Sequence, residues 1–265
     1  PKNWSLMLNL KCINFELHED GIAFVNLNNK PVNALNKNLI NDLISIVNYL
    51  ETNKKCRLVI FRSLQKHFSA GADLKERKSM DSNQTFKFLD KVNSIFNRIE
   101  NLQIPTIASI NGAALGGGLE LALCCDIRIA SENSYVGLPE TSLGIIPGAG
   151  GIFRLSKIIG MSKSKYWVFT AQKFTTESAY EDGVIDFMSK DDELLGVTLE
   201  LAQEILENAP LAIKASKILF NNISIDSKDL NKLQKNSYSL VIDSEDKKEA
   251  IKAFLSKRKP SWKGE

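Results

Sequence analysis

Histidine is scarce in this chain: only His18 and His67 occur in 265 residues. Neither stands beside a candidate serine or cysteine nucleophile, so a catalytic triad is not expected. The four cysteines, Cys12, Cys56, Cys124 and Cys125, form no CxxC pair, and with so few histidines a zinc site is not expected either. Cys124 and Cys125 are adjacent and lie in an apolar run, so all four read as packed, reduced thiols of a reducing compartment. No uninterrupted apolar run approaches the roughly 20 residues that span a bilayer, so no membrane partner is expected. Charge of one sign is also lacking: 34 Lys and Arg balance 31 Asp and Glu, for a net charge of +3. That excess is too small to make nucleic acid the default partner. There is no GxxxxGK[ST] loop, no GxSxG elbow and no HExxH. Gly148-Ala149-Gly150-Gly151 suggests a dinucleotide turn, but GxGxxG would need glycine where Phe153 stands. Proton transfer near neutrality must therefore fall on carboxylates or lysines.

What remains is an average globular composition, 43% hydrophobic and 25% charged, on a chain long enough for one large α/β domain. Pro1 in place of an initiator Met implies that a targeting peptide, a tag or an artificial boundary precedes it, and no signal-peptide pattern is left. Ile22–Leu27 reads as a strand broken by Pro31. Leu35, Leu39, Leu43, Ile46, Val47 and Leu50 recur at helical spacing, with Asn36 a candidate cap. Residues 58–61, Thr106–Ile110 and 127–130 read as further strands, and 86–99 and 119–124 as helices. Repeated strand-helix-strand units predict right-handed crossovers around a mostly buried sheet. Beyond about Leu194 strand signals vanish, and 199–206, 212–220, 230–241 and 248–254 are helical in period. The expected division is a core over residues 1–195 and a helical C-terminal region over 196–265.

Two glycine-bearing turns stand out, Ser69-Ala70-Gly71-Ala72-Asp73 and Gly116-Gly117-Gly118. Three glycines at a helix start cost roughly 1 kcal/mol each relative to alanine if they lie inside it. Such a cost makes sense where backbone must approach a ligand or adopt positive φ, although a tight crossover without ligand reads the same way. Free N–H groups at a helix start can also receive a carbonyl oxygen becoming an oxyanion. Glu120 follows the glycines amid Leu119, Leu121 and Ala122, and Glu140 follows Gly137-Leu138-Pro139. A carboxylate in an apolar wall has a raised pKa, which suits acid-base work near neutrality, although each alone also reads as a cap or a solvated side chain.

Ser69 to Glu76 (SAGADLKE), Asn111 to Ala122 (NGAALGGGLELA), Gly137-Leu138-Pro139-Glu140, Pro147 to Gly151 and Arg154-Leu155 closely resemble the crotonase (enoyl-CoA hydratase/isomerase) superfamily. The resemblance runs over nearly the whole chain. Gly71 to Arg77 (GADLKER), with the closing Lys257-Arg258 and Lys263-Gly264-Glu265, is most similar to the AU-binding enoyl-CoA hydratases, which act on 3-methylglutaconyl-CoA in leucine breakdown. The resemblance implies a spiral of ββα units with a helical C-terminal region, assembled as trimers that pair into hexamers. It implies an oxyanion hole from the N–H groups of Ala72 and Gly117, with water held between Glu120 as base and Glu140 as acid. The glutamates stand 20 residues apart, as in hydratases that keep both. Further implied contacts with substrate are Ala70, Asp73, Leu74, Lys75, Gly116, Pro139 and Gly148, with Phe254 and Lys257 on the coenzyme. Lys75 and Lys257 read equally as solvated lysines. No metal and no separate cofactor are implied, since the substrate carries coenzyme A. The implied compartment is the mitochondrial matrix, with a bacterial cytoplasm the alternative. An isomerase or another thioester-enolate reaction in the same fold is the competing chemistry, and AU-rich RNA binding a third reading.

Two departures from the family pattern matter. Ile152-Phe153 replaces Thr-Gln after Gly151, which predicts a bulkier, more apolar acyl pocket. The lysine stripe of the RNA-binding members reads Lys37, Asn41 and Ser45 here, and Asp42 is expected to add negative charge. Each lost phosphate contact weakens binding, so RNA binding by that route is not expected.

Overall fold

A computed structural model describes residues 2–3, 8–222 and 227–265; Pro1 lies outside them. The chain winds as successive turns. The first comprises β1 (Lys2–Asn3), β2 (Ile13–Leu17), β3 (Ile22–Leu27) and α1 (Lys37–Thr52). The second adds β4 (Leu58–Ser63), α2 (Leu74–Lys78) and α3 (Ser82–Glu100), and the third β5 (Thr106–Ile110), β6 (Ala113–Leu115) and α4 (Gly117–Ala122). The fourth has β7 (Ile127–Ser131), β8 (Tyr135–Gly137), a 3-10 turn at Pro139–Leu143 and α5 (Gly151–Thr170). After β9 (Phe174–Thr175), α6 (Thr176–Glu181) and β10 (Phe187–Ser189) come the helices α7 (Leu194–Leu206), α8 (Pro210–Asn221), α9 (Ser227–Ile242) and α10 (Glu245–Leu255).

The main sheet runs β1-β2-β3-β4-β5-β7-β10, antiparallel up to β3 and parallel from there on. Strand β3 is buried at every position, as a strand covered on both faces requires. Alternate residues face different cores. Ala23, Val25, Val59, Phe61 and Ala108 join the large core beneath α1 and α3. Ile22, Phe24, Leu58, Ile60 and Ile107 meet Leu194, Ala202 and Leu206 of α7. This is the predicted α/β architecture with its helical C-terminal region. The four cysteines are free and buried. No helix among the described residues is long and apolar enough to cross a membrane.

A second, short layer is what positions the glycine turns. Strand β6 pairs with β8 in parallel and β8 with β9 antiparallel. Single bridges, Ser69 with Ala114 and Leu35 with Ala72, continue the layer toward the N-terminus. Each turn of the spiral therefore delivers one loop to the same edge.

Helix α1 starts as expected, with the Asn36 side chain accepting from the Leu39 N–H. Asp42 corrects its expectation. It adds nothing to the surface: buried, it accepts the Lys11 and Cys12 N–H groups at 2.8 and 2.6 Å and ties the N-terminal segment to α1. Lys217 Nζ on α8 donates to the Ile104 carbonyl and to Asp126, which seats α8 at the entry to β5 and β7. Arg57, just before β4, donates to the Leu206 and Asn208 carbonyls, and Trp262 Nε1 donates to the Glu207 carbonyl. These bonds hold the C-terminal segment at the same end of the sheet.

Candidate active site

Leu35 organises the first glycine turn. Its N–H donates to the Gly71 carbonyl at 2.8 Å and its carbonyl accepts the Asp73 N–H at 3.3 Å. The Ala72 N–H is left on the opposite side of that segment. Gly71 has φ +91°, and a Cβ there would stand 2.7 Å from the Leu115 carbonyl and 3.4 Å from the Gly117 nitrogen. A Cβ on Gly117 would in turn lie 3.9 Å from the Ala72 nitrogen. The two turns thus sit back to back with the Ala72 and Gly117 amides side by side. Neither donates to an acceptor among the described residues; Gly117 opens α4, where an N–H has no intrahelical partner. Two adjacent, unused amides can receive one oxygen that gains negative charge.

The second turn needs its glycines for different reasons. Gly116 has φ +52°, donates to the Gly137 carbonyl, and would place a Cβ 2.8 Å from Oε1 of Glu140. Gly118 would drive a Cβ into the Ser69 carbonyl, so it permits the two layers to approach.

Glu120, in the first turn of α4, is 3% exposed. Its Oε1 accepts the Ala149 and Gly151 N–H groups at 2.8 and 2.9 Å. That loop is clamped to α3 by Asn93, which donates to the Gly148 carbonyl at 2.7 Å. Buried Arg154 clamps it again, donating to the Ala149 carbonyl, Glu100 and Asn97 at 2.7, 2.9 and 2.7 Å. Burial raises the Glu120 pKa, opposed by those two amides and by the charges of Arg154 and Arg77. Glu140 is 8% exposed, and its Oε2 is buried with no hydrogen-bond partner. Burial and then the nearby Glu120 charge push its pKa up to about 7. The two carboxylates therefore differ: Oε1 of Glu120 is oriented by two loop amides, whereas Oε2 of Glu140 is buried without a partner and its carboxyl keeps its proton up to about pH 7.

Of the other expected contacts, Ala70 and Lys75 are exposed, and Pro139 and Gly148 are half-buried beside Glu140 and Ala149. The Asp73 carboxylate caps α2, accepting the Lys75 and Glu76 N–H groups, and Leu74 is exposed. Phe254 and Lys257 are not brought to this cluster within one chain. Phe254 lies in the last turn of α10 and Lys257 just beyond it; α10 packs on α9, with Asp246 at its start near Arg57 at the entry to the sheet, and Phe254 is 84% exposed. The expected bulky pocket also needs correction: Ile152 packs on the core, but Phe153 points outward, 75% exposed. Asn93 and Asn97 escaped the sequence reading, and Leu35 and Arg77 were given no role in the site. Arg77 could have been found one turn after the Asp73 cap.

The family described as enoyl-CoA hydratase/isomerase matches residues 18–265. A probable mitochondrial enoyl-CoA hydratase 2 of Arabidopsis thaliana is 41% identical over 93% of this chain and 83% of its own length. A mitochondrial methylglutaconyl-CoA hydratase of Mus musculus is 40% identical over 97% and 84%. A short-chain-enoyl-CoA hydratase of Clostridium acetobutylicum is 38% identical over 93% and 96%. The crystal structure of an enoyl-CoA hydratase from Bacillus anthracis superposes with a TM-score of 0.93 at 35% identity, covering 96% of this chain and all of that one (100%). With fold, motifs and sequence agreeing along nearly all of its length, the chain belongs to the enoyl-CoA hydratase/isomerase family of enzymes.

Proposed function

We propose that the protein is a hydro-lyase that adds water across the 2,3 double bond of an enoyl-CoA thioester, with 3-methylglutaconyl-CoA the leading substrate and short-chain enoyl-CoA the alternative. The observation that carries the reading is the unequal pair, Oε1 of Glu120 held by two loop amides and Oε2 of Glu140 buried without a partner. The thioester oxygen rests on the Ala72 and Gly117 N–H groups. Glu120, ionised, takes a proton from water as its oxygen attacks the β-carbon. The electron pair of the double bond moves toward the thioester, and the two amides stabilise the resulting enolate oxygen. Glu140, protonated, then delivers its proton to the α-carbon, and exchange with solvent restores both groups. An isomerisation needs one group to move a proton between two carbons; two carboxylates of unlike surroundings, one tied to loop amides and one with a buried, partnerless oxygen, suit hydration better.

Ala70, Gly116, Pro139 and Gly148 line the acyl path in this reading, and Leu74 and Lys75 the coenzyme path, with Asp73 fixing the turn. The coenzyme A of the substrate is the only cofactor chemistry required. Phe254 and Lys257 contact the coenzyme in this reading, in a trimer or a pair of trimers; the 84% exposure of Phe254 supports a role in contact with another molecule. In this reading residues 196–265 serve assembly and the core over 1–195 holds the chemistry. The relatives named mitochondrial support the mitochondrial matrix as compartment, and the Clostridium relative the bacterial alternative.

The test is hydration of crotonyl-CoA and 3-methylglutaconyl-CoA with products identified. Glu120→Gln and Glu140→Gln should each lower turnover by about 10²- to 10⁴-fold while thioester binding persists. Near-wild-type rates in both variants would defeat the mechanism.

A further inference from the structure

His67 fills a place in the seam between the two glycine turns that a backbone carbonyl would ordinarily take. The seam is a short parallel ladder around the Ser69–Ala114 bridge. The Ser69 N–H donates to the Ala113 carbonyl and the Leu115 N–H to the Ser69 carbonyl, both at 3.0 Å, and the Phe68 N–H donates to the Asn111 carbonyl at 2.8 Å. One step earlier, a parallel ladder would give the Ala113 N–H to the His67 carbonyl. That carbonyl is taken by Asn33 Nδ2 at 3.0 Å, and the Ala113 N–H donates instead to Nδ1 of the His67 ring at 3.1 Å. Gly112 makes room for the ring: with φ +59°, it would place a Cβ 2.4 Å from the Lys66 carbonyl and 2.6 Å from Nδ1. The seam leads straight to the two unused amides, since Ala72 soon follows Ser69 and Gly117 follows Leu115.

The carbonyl acceptors of this seam are indifferent to pH. An imidazole accepts only while neutral, here with its proton on Nε2; once protonated, both nitrogens donate, and Nδ1–H would face the Ala113 N–H. The groups around the ring favour the neutral form. Lys66 precedes it, Tyr135 on β8 meets it edge-on with ring centroids 6.3 Å apart, and the Lys173 ammonium lies 5.4 Å from the centroid of that tyrosine. Asn33 and Asn111, whose side chains donate to the carbonyls of residues 65–68, carry no charge. Burial and then the Lys66 charge hold the His67 pKa below its usual 6.5.

We propose that His67 is a positioning residue for the reaction: neutral, its ring holds the Gly117 turn to the Ala72 turn, and its protonation releases that hold and misaligns the two amides. This rests on the hydratase reading above, in which those amides receive the thioester oxygen. Charge on that oxygen grows as water attacks, so misalignment weakens the transition state more than the bound substrate, and kcat changes more than KM.

The experiment measures kcat and KM between pH 5 and 8 for the wild type, His67→Asn and His67→Leu, on whichever of crotonyl-CoA and 3-methylglutaconyl-CoA the wild type hydrates faster. Asparagine can place Oδ1 where Nδ1 stands and does not titrate; leucine fills the space and accepts nothing. At pH 8 His67→Leu should lose about tenfold in kcat, with KM moved less than about threefold, and His67→Asn should recover most of the loss. The glutamates titrate in all three proteins, and their effect cancels in ratios of kcat. As the pH falls to 5, the wild-type-to-Asn ratio should drop about tenfold. The wild-type-to-Leu ratio should approach one, because the protonated ring accepts no more than leucine does. Should the Leu variant misfold, the Asn ratio carries the test. Ratios that stay flat with pH, or a Leu variant as fast as the wild type at pH 8, overturn the proposal while an active wild type leaves the hydratase reading standing. A wild type that hydrates neither thioester overturns that reading and the proposal with it.

Discussion

Replacing Glu140 with glutamine removes a group whose ionisation the fold opposes. Its Oε2 meets no donor, and burial with the Glu120 charge lifts its pKa from the ordinary 4.5 to about 7. At about 1.4 kcal/mol per pH unit, holding this carboxylate ionised above neutrality costs the native state roughly 3 kcal/mol. The direction follows from proton binding. Between pH 4.5 and about 7 the native chain keeps a proton that the unfolded chain has released, so wild-type stability falls as pH rises through that window. Glutamine is neutral throughout and close to isosteric. Glu140→Gln should therefore match the wild type near pH 4.5 and exceed it by roughly 3 kcal/mol at pH 8.5. Urea unfolding of both proteins across that range, at one protomer concentration since association contributes to stability, measures the difference directly. A difference that stays flat with pH would mean that Glu140 is already ionised or solvated, and its role as acid would lose its basis. Wild-type activity should follow the same direction: turnover should decline above about pH 7 as the acid form is depleted, with the titration shared by the coupled pair.

Gly151→Ala would put a Cβ 2.7 Å from Cγ and 2.9 Å from Oε1 of Glu120, so turnover should fall about 100-fold with the circular dichroism spectrum retained. Equal activity in that variant would show that the loop yields freely. Arg154→Met strips donors from the Ala149 carbonyl, Asn97 and Glu100. At about 1 kcal/mol per bond it should cost roughly 3 kcal/mol in chemical unfolding and loosen the Glu120 loop, raising the demand on kcat more than on KM; a loss below about 0.5 kcal/mol would contradict this.

The four central strands of the main sheet were readable because they are long enough to show burial by composition, whereas β2 and the short edge strands β1 and β10 were not read. Ile22–Leu27 and Thr106–Ile110 are strands over the predicted residues, and Asn36 caps α1 as its position suggested. The second layer was not readable. Strands β6, β8 and β9 are two or three residues long, too short for any periodicity, and exist because each pairs with a neighbour distant in sequence. Helix α5 hid for another reason. It opens on a glycine, is interrupted at Gly160 with φ +77°, and shows Phe153 and Phe169 to the outside, so no single apolar stripe marks it. The helix predicted at 119–124 begins instead at Gly117, since the glycines enter the helix rather than precede it.

In the site, residue types were legible and their partners were not. Asp42 looked like surface charge because helical spacing says which side chains share a face, not that a carboxylate turns inward to hold two amides from 30 residues away. Phe153 looked like a pocket wall because it follows the loop that holds Glu120, yet one position of helical rotation turns it outward while Arg154 turns in. The run Gly116-Gly117-Gly118 shows why a penalty is easier to detect than its cause. Sequence alone left ligand approach and tight crossover as rival explanations, and close approach within the chain accounts for each of the three glycines. Gly118 is there for the Ser69 carbonyl, Gly116 for positive φ and the Glu140 carboxylate, and Gly117 for Leu35, whose Cδ1 would meet a Cβ at 2.5 Å. The same close stacking that forbids a Cβ also leaves the Ala72 and Gly117 amides beside one another without acceptors. Packing and chemistry are therefore one constraint at this edge, and a substitution that relieved the first would separate the donors on which the second depends.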